Sequence, residues 1–291
     1  MLLTADSLVE KALDPSRVEI AHDALWGVFG AALACVLVGL FLLWLAIRKF
    51  GKPGGDLRHD DLIVAYPVSI GAVGVYLTLI SWLWTRSPLE AGVAQSVLAL
   101  ACLLFVAFNP WRPAGQAPAD WIKPRPLHLA LAPLLWALAV PVLVAGMFAA
   151  VALAQITDMP VTMQDRLGEL RSRSDPAWII GWYVAAAVGA PLLEEFVFRV
   201  VLFGGLMGLL KPYHRGEGWA HPGTWIALLI SGGLFVLAHG VWDWTVGIIP
   251  LSVLTFVLSA IYLHTRSVWA GVLVHAIHNG FVVTMQFYVL M

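Results

Sequence analysis

Long apolar runs recur along almost the whole chain, and they limit its fold more than any other feature. A helix rises 1.5 Å per residue, so about 20 apolar residues cross a hydrocarbon core of ~30 Å. By that rule the 291 residues hold eight such segments, near 24–47, 62–84, 89–108, 127–155, 177–210, 223–239, 246–264 and 267–290. These are far too long for barrel strands, and lipid admits only helices or closed barrels. The sequence therefore predicts an all-α fold, a polytopic transmembrane helical bundle of about eight spans, or seven or nine if a segment is re-entrant. Composition agrees, with only 12% of residues charged against about 25% in a soluble domain. The net charge of -1 gives no reason to expect nucleic acid as a partner. Cys35 and Cys102 both lie in apolar stretches and read as packing residues rather than a disulfide framework.

Four regions follow along the chain. Residues 1–23 form a polar N-terminal tail without the basic-then-apolar layout of a cleaved signal peptide. Residues 24–155 carry four transmembrane helices with no recognised motif. Residues 156–176 form a loop, in which 161–172 read equally well as an amphipathic surface helix or a polar stretch. Residues 177–291 form the C-terminal membrane core. Lys and Arg counted over alternate connections total 10 against 6, a bias that places both termini outside the cytoplasm. The expected location is the cell (plasma) membrane, as a multi-pass protein.

The fifth segment is unusual. Pro191 lies inside it, lacks a backbone donor and predicts a kink. Directly after it stand Glu194, Glu195 and Arg199, in otherwise apolar sequence. An ionised side chain near the bilayer centre costs about 2.5–3.5 kcal/mol on insertion scales, so three in six residues call for a reason. A salt bridge pinning helices is one reason, and a reactive site is the other. Glu195 and Arg199 are spaced i, i+4 and meet on one face. Glu194 points about 100° away and lacks a local cation, which suits a general base.

Two further polar sets lie downstream. His239 ends the sixth segment, four residues after Phe235, and alone would read as an interfacial residue beside Trp242 and Trp244. His275 and Asn279 share a face of the last helix at i, i+4, with His278 a rival to His275. Such residues also serve as hydrogen-bonding glue between membrane helices. Three sets on nearby helices favour a shared pocket. Asp243 either orients His239 or is solvated, while His22, His59, His128, His214, His221 and His264 fall in tails, loops or helix ends. The Gly pairs at 204–205 and 232–233 suit close helix packing.

Glu194-Glu195-x-x-x-Arg199, Phe235-x-x-x-His239 and His275-x-x-x-Asn279, in that order, resemble the three motifs of the CPBP family. These are the CAAX-protease and bacteriocin-processing membrane proteins, also called Abi or Rce1-type, and the resemblance covers about residues 176–290. It implies an intramembrane endopeptidase that hydrolyses a peptide bond of a membrane-associated protein or peptide. It assigns Glu194 as the water-activating residue with His239 as its partner, and His275 and Asn279 as stabilisers of the oxyanion. Glu195, Arg199 and Phe235 would support them. The family is labelled both metalloprotease and glutamate-dependent. A divalent metal such as zinc, if held, would have Glu194, His239 and His275 as its candidate ligands. His-Glu-x-x-His, Gly-x-Ser-Gly and Gly-x-Gly-Asp sites of other membrane proteases are absent. The competing readings are a proton-coupled transporter and a non-catalytic, partner-binding or immunity protein of the same fold. Counted along straight helices, His275 lies shallower than Glu194 and His239. A shared site therefore requires tilt, a kink or displaced helix ends.

Overall fold

The computed structural model describes residues 21–50, 59–84, 86–108, 124–159, 175–210, 218–239 and 247–288. The segment 161–172, Asp243, Trp242 and Trp244 lie outside the described residues. Eight helices follow one another, and no strand occurs among the described residues. They are α1 (Leu25–Phe50), α2 (His59–Val75, continuing to Trp84), α3 (Pro88–Ala107), α4 (Pro126–Ile156), α5 (from Pro176 to Leu210), α6 (Pro222–Ala238), α7 (Ile248–Thr265) and α8 (Val268–Tyr288). Six of them are long and apolar enough to span a bilayer; α6, at 17 residues, is shorter, and α5 is subdivided.

Local chemistry explains the starts. Ser87, Asp175 and His221 each accept a backbone N–H with the side chain, and a proline follows as the first helical residue. Proline is suited to that place because its missing N–H would have had no partner there. His221 is thus a cap of α6. The end of α7 uses Arg266 in the left-handed region (φ 47°), with its N–H donating to Tyr262 O.

Two π-helical stretches, Ala185–Gly189 and Glu195–Gly204, interrupt α5. Pro191 does not end the helix. It follows the first π turn, where the Ala190 N–H reaches back to Ala185 O, five residues away. The wider turn accommodates a ring that would clash in a regular helix. A π turn also takes an extra residue, which rotates everything after it by about 100°. The direction of each charged side chain therefore depends on these two stretches.

α7 is the innermost helix, with Val257, Leu258, Ser259, Ala260 and Ile261 all fully buried. The turn from α7 to α8 is buried too, at Thr265, Ser267 and Val268. Trp219, from the short turn before α6, donates to His264 Nε2 at 3.0 Å and stacks on Phe256 beside it. The contacts of His275 with Glu194 and Glu195 show that the three groups share one level of the bundle, although straight helices place His275 shallower.

Close backbone approach holds α5 in place. A Cβ on Gly92 of α3 would lie 2.6 Å from Ala185 N, and one on Gly181 would lie 2.5 Å from Leu89 N. Of the glycine pair in α6, Gly232 meets a Thr255 methyl, whereas Gly233 faces open space.

Candidate active site

Three helices, α5, α6 and α8, bring the charged and imidazole groups together. Glu195 and Arg199 form the expected i, i+4 pair on α5, Oε2 to Nε 3.6 Å, with side chains 1% and 0% exposed. Arg199 also lies over the Phe235 ring, 4.6 Å from its centroid. Phe235 is fully buried and touches the His239 ring (4.4 Å between centroids) and the His275 ring (6.0 Å). It packs against the guanidinium and both imidazoles.

Glu194 differs from its neighbour in exposure and partners. Its side chain is 20% exposed, and Oε2 lies 3.6 Å from His239 Nε2 and 3.7 Å from His275 Nε2. Each imidazole is fixed through its other nitrogen. His239 Nδ1 is 2.8 Å from Phe235 O, and a carbonyl only accepts, so Nδ1 carries the proton. His275 Nδ1 is 3.0 Å from Glu195 Oε1. An ionised carboxylate only accepts, so in that form of Glu195 the contact puts a proton on Nδ1. Both Nε2 atoms therefore face Glu194. His275, rather than its rival His278, meets the two glutamates.

Asn279 sits one turn further along α8 and donates from Nδ2 to Ala186 O at 2.8 Å. Its acceptor lies in the first π turn of α5. The second π stretch is held in the same manner, because the Ser231 hydroxyl of α6 donates to Phe198 O at 2.6 Å. A polar side chain from a neighbouring helix thus binds each π stretch flanking Glu194. Ser231, Phe235 and His239 fall at i, i+4 and i+8 on one face of α6. Sequence reasoning passed over Ser231, although its spacing from Phe235 and His239 was the available signal.

The metal candidates meet a mixed test. Glu194, His239 and His275 are chemically suitable ligands. However, no group of three or more His, Cys, Asp or Glu among the described residues is set to hold a metal ion. The separations of 3.6 and 3.7 Å are wider than the roughly 3.3 Å between donors bound tetrahedrally at about 2.0 Å.

A helical membrane bundle with carboxylates and imidazoles converging inside it is the class that this fold and site define. Residues 176–281 match the family described as type II CAAX prenyl endopeptidase Rce1-like. The chain is similar to the membrane-embedded CAAX protease MroQ of Staphylococcus aureus (strain USA300), 33% identical over 96 residues, which are 33% of this chain and 35% of that protein. It is also similar to the putative membrane peptidase YdiL of Bacillus subtilis (strain 168), 25% identical over 103 residues, 35% of this chain and 36% of the relative. The chain thus spans about a third of the length of the curated relatives it matches. No solved structure matches. The matched segment opens at Pro176, the first residue of α5, and ends in α8 beyond Asn279, so it holds every group of the site.

Proposed function

We propose that this chain is an intramembrane endopeptidase that hydrolyses a peptide bond of a membrane-associated protein or peptide, with Glu194 activating the water. One observation carries the reading: Glu194, whose side chain is partly exposed, turns a buried Oε2 without a hydrogen-bond partner towards two Nε2 atoms at 3.6 and 3.7 Å. Those separations exceed direct hydrogen bonds, and a small movement of the Glu194 side chain would admit a water between the carboxylate and the imidazoles.

Amide hydrolysis needs a base for water, donors for the oxyanion and an acid for the leaving amine. Glu194 takes a proton from water as its oxygen attacks the carbonyl carbon. His239 orients the carboxylate and shares the proton, which then passes to the departing nitrogen as the C–N bond breaks. The developing oxyanion falls to α8. His275 donates through Nε2 when its ring carries both protons, a form flanked by the Glu194 and Glu195 carboxylates. Asn279 Nδ2 keeps a second N–H beyond the one given to Ala186. Glu195, Arg199 and Phe235 support these groups without touching substrate. A protein buried in lipid must reach such chemistry through a water-bearing cavity, and the exposure of Glu194 and His239 is consistent with one.

The test is processing of a candidate membrane protein in cells carrying Glu194→Gln or His239→Ala, each checked for normal abundance. The proposal expects processing to stop in the first and to fall sharply in the second. Unchanged processing in both would sink it. Metal analysis of the purified protein, with cleavage measured before and after chelation, separates metal-dependent chemistry from glutamate chemistry alone.

A further inference from the structure

The second glutamate is more confined than a simple salt bridge requires. Glu195 Oε1 meets His275 Nδ1 at 3.0 Å, while Oε2 lies 3.6 Å from Arg199 Nε and against Gly271 of α8. A Cβ built on Gly271 would lie 2.6 Å from that Oε2 and 3.4 Å from the carboxyl carbon. Gly271 and His275 are four residues apart, so they share a face of α8, one turn above the other. The missing side chain at 271 and the imidazole at 275 make a notch one carboxylate wide. We infer that Gly271 is a positioning residue, whose lack of a side chain seats Glu195 so that it holds the His275 ring against Glu194.

The physical case rests on how little room Glu195 has to retreat. A carboxylate at the end of a flexible side chain ordinarily swings away from a new methyl group at small cost. This one is 1% exposed, with Arg199 Nε 3.6 Å away on one side and His275 on the other. Leaving the notch means breaking one of those contacts inside a low-dielectric interior, or pushing α8 off α5. Loss of the His275 contact, or displacement of α8, frees His275 Nδ1 from its acceptor and releases the ring. Glycine in a helix interior is itself unfavourable relative to alanine. A glycine here is thus a cost that the seating of the carboxylate offsets.

The activity arm of the test rests on the peptidase reading, and the other two arms do not. Gly271→Ala and Gly271→Val are made in the full-length chain, and again in a background carrying Glu195→Ala with Arg199→Met. The same-helix control is Gly280→Ala, where a Cβ meets only the Ala187 methyl at an ordinary 3.6 Å. In the wild-type background, kcat should fall several-fold for Ala and on the order of 100-fold for Val, the scale of an ångström misplacement, with KM within about twofold. The thermal midpoint should drop in the same order. In the altered background the notch is empty, so Gly271→Ala should leave the midpoint level or raise it. Selective ¹⁵N-histidine spectra, assigned with His275→Gln, should show the His275 Nδ1 proton signal lost or shifted in Gly271→Val. An equal fall in midpoint in both backgrounds, with an unmoved His275 resonance, would overturn the proposal and leave Gly271 as a packing residue. If the wild type cleaves nothing, the peptidase reading falls, and the midpoint and ¹⁵N arms still decide the notch.

Discussion

The first and seventh helices follow opposite rules, although both are long and apolar. α1 is the more apolar in sequence, yet only 11% of its spanning window is buried in the protein, against 67% for α7. Trp26, Leu37, Val38, Phe41 and Leu42 of α1 face outward. α7 hides Thr255 and Ser259 among its buried residues. In water the apolar face marks the interior. In lipid both faces are apolar, so small and polar residues mark the interior instead. A second division separates α1–α4, which carry no charged group of the site, from the later helices, where α5, α6 and α8 carry them all.

Substitutions on the two sides should therefore differ widely in effect. The largest loss of stability is expected for Arg199→Ala, which leaves Glu195 buried without its cation. Breaking such a pair costs about 3–5 kcal/mol, read as a lower thermal midpoint in detergent and lower abundance. Phe235→Ala should rank next, at roughly 3–4 kcal/mol for a fully buried aromatic, and should also lower cleavage because both imidazoles lose their packing surface. Asn279→Ala and Ser231→Ala each remove one hydrogen bond to a π-stretch carbonyl. About 1 kcal/mol is expected for each, with Asn279→Ala lowering kcat further if its second N–H serves the oxyanion. Leu37→Ala, outward-facing on α1, should stay within about 0.5 kcal/mol and leave cleavage unchanged. A large effect at Leu37 would break the contrast, and a partner on that face of α1 would be the first thing to seek.

Much of the architecture was legible because length and hydropathy alone define membrane spans. The segment expected at 127–155 is the helix Pro126–Ile156, and the one at 223–239 is Pro222–Ala238 with His239 as its cap. The Glu195–Arg199 pair followed from helical spacing, and the meeting of Glu194 with His239 and His275 was foreshadowed by resemblance. Other features depend on tertiary contacts that no local pattern encodes. The π stretches around Pro191 set the direction of Glu194, and they are held by Ser231 and Asn279 from other helices. The burial of the turn at 265–268 also depends on packing, for its sequence reads as an ordinary helix end. Gly271 looks like any packing glycine until the Glu195 carboxylate is placed against it.

The central claim is a division of labour between adjacent glutamates, with Glu194 acting on water and Glu195 holding His275. Its most direct test is single-turnover cleavage of a membrane-anchored substrate by the purified chain in lipid vesicles, comparing wild type with Glu194→Gln at matched thermal stability. The account predicts a loss within the 10²–10⁴-fold range typical of a removed general base. A Glu194→Gln variant that cleaves within about tenfold of wild type would contradict it.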